Sequence, residues 1–91
     1  MKKLTIENIR TALYEMNIPA VRSVPLEELP TADFFHTLQM NEREVFMLMY
    51  NLEYEHRIKL PPEVLESVQM KNTVGTLLQA ANHHLIDLSE N

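Results

Sequence analysis

The sequence of 91 residues contains no cysteine and no tryptophan, and it has a single glycine, Gly75. Without cysteine the chain has no disulfide, no thiolate zinc site and no cysteine nucleophile. With one glycine, neither phosphate-cradling loops nor folds rich in tight turns are expected. Because no apolar stretch approaches the ~20 residues that cross a bilayer, and because the basic start at residues 1–4 lacks a signal-peptide core, we expect a cytoplasmic protein.

Positive charge is also scarce. Eight Lys and Arg residues stand against thirteen Asp and Glu residues, which gives a formal net charge of −5. The basic residues are scattered along the chain, whereas nucleic-acid binders concentrate them to contact phosphates. A nucleic-acid ligand is therefore not expected, and the acidic composition favours encounters with basic protein surfaces.

Helical periodicity dominates the sequence. Residues from Thr5 to about Asn17 place apolar side chains at helical spacing, with Thr5 as the N-cap. The clearest helix runs from about Asn41 to Arg57. Asn41 is a good N-cap, and Glu44 follows three residues later, as in a capping box. These patterns predict the first two long helices.

Two further helices and one long connection complete the predicted chain. A short third helix is expected from Pro62 to about Val68, since proline is favoured in a first helical turn. The fourth helix is expected to begin at Thr73 and to keep an apolar face as far as Leu88. Residues 18–40 form a long loop in which 31–35 could make a helical turn. We therefore predict an all-α four-helix bundle, with residues 1–91 as one domain.

Short motifs follow one another from Leu38 to Leu88. They are the hexapeptide 38–43, the acidic stretch 53–55, the pair Leu60-Pro61 and the tripeptide 73–75. In this order and spacing they resemble the phosphopantetheine-binding acyl carrier protein family. The resemblance implies a bundle with three longer helices, a short third helix and a long loop between the first two.

The chain departs from this family at the residue that carries the prosthetic group. The family motif Leu-Gly-x-Asp-Ser-Leu corresponds to residues 38–43, so its modified serine corresponds to Glu42. Asn41 stands in place of the aspartate and Arg43 in place of the second leucine. The family's arm is a phosphodiester on the serine oxygen, and a carboxylate cannot form that stable ester. We therefore expect no 4′-phosphopantetheine cofactor on this chain.

The second helix has apolar residues on two sides. At 100° per residue from Glu42, one stripe lies between about 240° and 340° and has the character of a core stripe; it consists of Val45, Leu48, Met49 and Leu52. A second stripe lies between about 40° and 140°; it consists of Arg43, Phe46, Met47, Tyr50 and Tyr54. A helix that is apolar on two sides is either covered on both sides by other parts of the chain or uses one side to bind a partner. In the family this face receives partner enzymes, so we predict that the second stripe binds a partner protein; the alternative is that the loop 18–40 covers it.

The remaining polar residues do not suggest catalysis or metal binding. The adjacent residues His83 and His84 would point about 100° apart on a helix and so cannot easily share one metal ion. Glu42 and Glu44 are better explained as residues that cap a helix than as a general acid and base. No set of nucleophile, base and orienting residue can be assembled, so we expect neither an enzyme nor a metal site.

Three functional hypotheses remain. The first is a non-modified carrier-like domain that acts as a protein-interaction module, accessory to biosynthesis of the fatty-acid or polyketide type. The second is a working acyl or aminoacyl carrier that is modified elsewhere, for which the chain offers Ser23, Ser67 and Ser89. The third is a helical adaptor, unrelated to acyl transfer, that uses the second stripe for homo-oligomerisation.

Overall fold

The computed structural model describes residues 2–89. Its helices are α1 (Ile6–Glu15), α2 (Glu42–His56), α3 (Pro62–Met70) and α4 (Val74–His84). Two short strands, β1 (Ile58–Lys59) and β2 (Ile86–Asp87), pair antiparallel. The prediction of a helical fold is therefore confirmed, and the two-residue strands are an addition that the sequence patterns did not predict.

The predicted starts of the first two helices are confirmed by their capping hydrogen bonds. The Thr5 side chain accepts the backbone N–H of Asn8 at 3.1 Å, and the Asn8 side chain accepts that of Thr5 at 2.9 Å. Asn41 and Glu44 form the same reciprocal pair before α2, at 2.8 and 3.0 Å. Each pair satisfies two N–H groups that have no partner inside the helix, so the sequence fixes both starts locally.

The long connection contains two 3₁₀ helices, at Pro19–Ser23 and Leu26–Thr31. The helical turn expected at residues 31–35 lies two residues later: the second 3₁₀ helix ends at Thr31, and the N–H of Thr37 then donates to Asp33 O at 3.0 Å. The first 3₁₀ helix packs on α1, and the second packs on α1 and α4. Val21 and Leu29 are fully buried there. The connection thus contributes buried apolar side chains to the core.

The end of this connection is pinned to the junction between α3 and α4. The backbone N–H of Phe34 donates to Asn72 O at 2.8 Å, and that of Val74 donates to Ala32 O at 3.0 Å. The Phe34 side chain is fully buried. These bonds bring α4 so close to the connection that a Cβ on Gly75 would lie 2.7 Å from the carbonyl oxygen of Pro30.

The last predicted helix ends earlier than expected. It stops at His84, and Leu88, which we expected on its apolar face, is 59% exposed. The chain becomes extended because β1 offers hydrogen-bonding partners: Ile86 pairs with Lys59, and the N–H of Leu88 donates to Arg57 O at 2.9 Å. The short helix α3 has 9 residues against 10 in α1, so it is the shortest of the four by one residue only.

The four helices and the connection enclose one apolar cluster. Its largest fully buried side chains are Phe34, Ile9, Leu13, Leu29, Leu38, Leu48, Leu52, Ile58 and Leu77. The Cα radius of gyration is 12.2 Å, close to the value of about 12 Å expected for one compact domain of this length. Within residues 2–89, none of the helices is long and apolar enough to cross a membrane.

Candidate protein-binding face

Helix α2 presents its core stripe as predicted, with one exception. Val45, Leu48 and Leu52 are buried, whereas Met49 is half-buried and packs at the edge of the core. Met49 lies between the core stripe and the next face of the helix. It therefore belongs to the wall of an open groove as much as to the interior.

The second stripe of α2 remains largely accessible. Met47 is 47%, Tyr50 69% and Tyr54 88% exposed. Arg43 is also exposed, while Phe46 is half-buried. The 3₁₀ helices of the long connection pack on α1 and α4, so they do not lie over this stripe. From that connection Phe35 reaches the side of Phe46, where both side chains line one hollow.

An apolar groove, which we call the α2–α3 groove, runs between these two helices. Its wider part has a volume of about 310 Å³. The residues that line this part are Phe46, Met49, Tyr50, Glu53, Lys59, Leu60, Pro61, Pro62 and Leu65. The wall is mostly aromatic and aliphatic, which suits apolar side chains of a ligand.

A narrower part of the groove, of about 190 Å³, continues toward the start of α2. Phe46 and Leu65 line both parts, so they form a ridge between them. The other residues of the narrower part are Phe35, Glu42, Val45, Val68, Gln69 and Asn72. The α3 wall of the groove was not predicted, because the pattern of this helix was used only to place it between Pro62 and about Val68. The spacing of Pro62, Leu65 and Gln69 on one helical face was the available signal.

The structure therefore divides the five residues predicted to bind a partner. Phe46 and Tyr50 line the groove together. Tyr54 lies outside it, in a separate surface hollow with Leu88, Arg57, Glu53 and Glu55. Arg43 and Met47 are exposed on the same helix. Phe46 and Tyr50 of the predicted stripe thus belong to one wall of the groove. Arg43, Met47 and Tyr54 lie on the surface outside it.

Glu53 holds one end of the groove in place. One oxygen of its carboxylate accepts the backbone N–H of Leu60 at 2.7 Å. This bond ties α2 to the link between β1 and α3, where Pro61 and Pro62 restrict the backbone. The wall at Leu60 is therefore held by a charge-assisted hydrogen bond.

Glu42 lies at the other end of the groove, at the start of α2, and Gln39 precedes it by three residues. Glu42 is the first residue of the helix, is exposed and borders the narrower part of the groove. Gln39 is exposed and has a φ of 54°. This left-handed backbone favours glycine, because a Cβ approaches the carbonyl oxygen there.

Gln39→Gly should therefore raise the free energy of unfolding. We expect a gain of about 0.5–1 kcal/mol, since relief of the left-handed strain exceeds the added entropy of the unfolded chain. Urea unfolding followed by circular dichroism at 222 nm would measure it. As a matched control, Thr37→Gly places glycine at an exposed residue of the same loop without a positive φ, and it should destabilise. Equal destabilisation by both changes would contradict the prediction.

Two carboxyl groups near α2 have shifted pKa values. The backbone N–H groups of His36 and Phe35 bond to Asp33 at 2.9 and 2.8 Å and lower the pKa of its carboxyl. The turn that places Phe35 beside the groove therefore rests on an ionised carboxylate. A hydrogen bond with Glu55, and the charge of that residue, raise the pKa of Glu15. By helical spacing Glu55 lies on the side of α2 opposite to the groove.

The groove combines apolar walls with carboxylates at its ends, an arrangement suited to binding. Within the described part of the chain, no three His, Asp or Glu side chains are grouped so that they could hold a metal ion. Glu42 has no hydroxyl to esterify, and Glu53 is engaged by the backbone of Leu60. The accessible apolar side chains of α2 make this region a candidate protein-binding face.

The chain was compared with protein-family models, curated proteins and solved structures. The chain matches no protein-family model, no curated protein and no solved structure. The likeness to carrier proteins consequently depends on the motifs of the chain itself.

Proposed function

We propose that the chain is a carrier-like domain that bears no phosphopantetheine arm and acts as a non-catalytic protein-interaction module. One observation carries this proposal: Met47, Tyr50 and Tyr54 are 47%, 69% and 88% exposed on one side of α2. Large apolar side chains grouped on an accessible face are typical of protein contacts. A role accessory to biosynthesis of the fatty-acid or polyketide type follows from the resemblance.

Two local features support the carrier-like part of the proposal. Gln39 has the left-handed backbone that favours glycine, at the position where the family motif has its glycine. Asn41 caps α2 immediately before Glu42, so the motif stands at a helix start, as it does in the family. The carboxylate of Glu42 places a permanent negative charge where carriers bear a phosphate.

The placement of the three serines weighs against modification elsewhere. Ser23 ends a 3₁₀ helix, and Ser67 lies inside α3, where its hydroxyl donates to Glu63 O at 3.0 Å. Ser89 follows β2 and donates its hydroxyl to Asp87. None of these three serines stands at the start of a long helix, which is where the family motif has its serine.

Mass spectrometry tests the loss of carrier chemistry. The purified chain is incubated with a promiscuous phosphopantetheinyl transferase and coenzyme A, and its intact mass is measured. We expect no mass change, because the residue at the motif position is Glu42. A known carrier protein in the same tube is the control for transferase activity. A gain of one pantetheine arm by this chain would overturn the proposal.

Affinity capture tests the interaction function. The wild-type chain, Tyr50→Asp and the matched control Met70→Asp are used as baits in lysate of cells that express the protein. Met70 is 89% exposed, so both variants add one charge at an accessible residue, and both should keep the circular dichroism spectrum of the wild type. We expect Tyr50→Asp to lose proteins that the wild type and Met70→Asp retain. The same proteins retained by all three baits would show that α2 is not the binding face.

A further inference from the structure

Four exposed residues of α2 are placed symmetrically along the helix. Arg43 and Tyr54 stand at equal distances on either side of the point between residues 48 and 49, and so do Met47 and Tyr50. All four are exposed, and at 100° per residue they lie within about 60° of one another. We call them the α2 strip. When one copy of this strip is laid antiparallel on another about that midpoint, Arg43 meets Tyr54 and Met47 meets Tyr50.

The two facing pairs are chemically matched. In an antiparallel pair of α2 helices, Arg43 of one copy would lie against the partner's Tyr54, and Met47 against the partner's Tyr50. A guanidinium group is attracted to the face of a tyrosine ring by a cation–π contact, and a thioether makes a favourable contact with an aromatic ring. A two-fold axis repeats each pair, so the strip complements itself.

The charges of α2 favour the antiparallel arrangement over the parallel one. Arg43 is the charged residue of the strip, and a parallel two-fold pair would set it against its own copy, which like-charge repulsion opposes. In the antiparallel register it lies level with the partner's Glu53 and the partner's Glu55, one on each side of the facing tyrosine. Glu42 and Glu44 are at the same level, but they lie about 100° to either side of Arg43 and so point away from the partner.

The exposed area of the strip has the size of a weak, reversible contact. A tyrosine carries about 150–250 Å² of surface. Tyr50 and Tyr54 are 69% and 88% exposed, so together they offer about 300 Å². With Met47 and Arg43, two copies would bury about 800–1,000 Å², which is below the ~1,200 Å² at which stable interfaces begin. The net charge of −5 on each copy also opposes tight association.

We infer that the α2 strip binds a second copy of the chain, with the two α2 helices antiparallel and the two-fold axis beside residues 48 and 49. This inference rests on the proposed interaction function, because it uses the same face of α2, and it names one partner of that face. A contact with a different protein requires no symmetry within the strip. A two-fold contact requires that the strip complement itself, and the placement of its four residues meets that requirement.

Sedimentation velocity over a concentration series measures the association of the full chain. We expect a reversible dimer with a dissociation constant of about 10–100 μM. Tyr50→Ala and Tyr54→Ala should each weaken it by about tenfold, since each change occurs twice in the dimer. Both residues are exposed, so both variants should keep the wild-type fold. Met70→Ala, at a residue of α3 that is 89% exposed, is the matched control and should leave association unchanged.

Arg43→Glu tests the charged residue of the strip. The new carboxylate would lie level with the partner's Glu53 and the partner's Glu55, so the dimer should weaken by about tenfold at low salt. Arg22→Glu changes the net charge equally at an exposed residue of the first 3₁₀ helix. It should weaken the dimer by less than about threefold, because its charge acts only at a distance.

Engineered cysteines report the register, because the protein has no cysteine of its own. Arg43→Cys and Tyr54→Cys are mixed and oxidised in air, and the intact masses are measured. Helix axes about 10 Å apart bring facing Cα atoms to about 5.5 Å, which a disulfide spans. Residue 43 of one copy would lie about 16 Å along the helix from residue 43 of the other. We therefore expect the mixed disulfide, with little disulfide from either variant alone.

The outcomes separate this inference from the proposed function. A chain that stays monomeric up to about 500 μM, or a dimer that Tyr50→Ala and Tyr54→Ala both leave intact, would refute the inference. Disulfides formed by each cysteine variant alone, in place of the mixed species, would refute it as well, since they indicate a parallel pair. The capture experiment with Tyr50→Asp judges the interaction function independently: a monomeric chain that still captures other proteins through Tyr50 retains that function without a second copy.

Discussion

Phe34→Ala should lower the free energy of unfolding by about 3–5 kcal/mol, the usual cost of removing a buried aromatic ring. Phe34 is fully buried although it lies in the long connection before α2. Its backbone also joins two elements: its N–H donates to Asn72 O at 2.8 Å, and its carbonyl accepts the N–H of Met40 at 2.9 Å. A cavity at this residue would therefore loosen the attachment of the connection to the α3–α4 junction.

Thermal and urea unfolding would measure this effect. A loss of 3–5 kcal/mol corresponds to a fall in Tm of roughly 15 °C or more for a domain of this size. Phe35→Ala is the matched control, because it removes the same ring from the neighbouring residue, which is half-buried beside the groove. It should cost about 1–2 kcal/mol, in proportion to the smaller area that it buries. A larger loss from Phe35→Ala than from Phe34→Ala would show that the connection is packed differently.

Gly75→Ala should destabilise the protein by about 1–3 kcal/mol, although the same change within an exposed helix usually stabilises by up to about 1 kcal/mol. The reason is the contact of α4 with the second 3₁₀ helix. An added Cβ would lie 2.7 Å from the carbonyl oxygen of Pro30. Because this oxygen belongs to the backbone, a rotamer change cannot relieve the clash. The helix and the connection must move apart, which strains the bond between Val74 N and Ala32 O.

Urea unfolding would measure the change, and two controls isolate its cause. Gln79→Ala alters an exposed residue of the same helix and should change stability by less than about 0.5 kcal/mol. Pro30→Ala combined with Gly75→Ala should not restore stability, since the nearest contact is the carbonyl oxygen and not the proline ring. If Gly75→Ala had a free energy of unfolding equal to or above that of the wild type, α4 would be able to move away from Pro30 without loss of stability, and the prediction would be wrong.

Local signals in the sequence predicted the parts of the fold that depend on neighbouring residues. The capping boxes at Thr5 and Asn41 fix where α1 and α2 begin, because both partners of each hydrogen bond are three residues apart. Pro62 begins α3 for a similarly local reason, namely its restricted φ. The core stripe of α2 also follows from spacing alone, apart from Met49, which the groove exposes in part.

Contacts between distant segments decided the features that local patterns predicted wrongly. Residues 85–88 continue the helical pattern of α4, yet they are extended because β1 lies close enough to pair with them. The only glycine is required by the approach of Pro30, which is 45 positions away in sequence. The predicted binding stripe of α2 became a groove because α3 supplies Leu65 and Pro62 as its second wall.

The sequence by itself determined the helical character of the chain, its helix starts, its acidic surface and the absence of a hydroxyl at residue 42. Each of these depends on composition or on residues within one helical turn. Only the tertiary structure decided which apolar faces stay open, where the long connection packs and that α2 and α3 enclose a groove. Those outcomes depend on the distances between elements, and no spacing within a single element encodes such a distance.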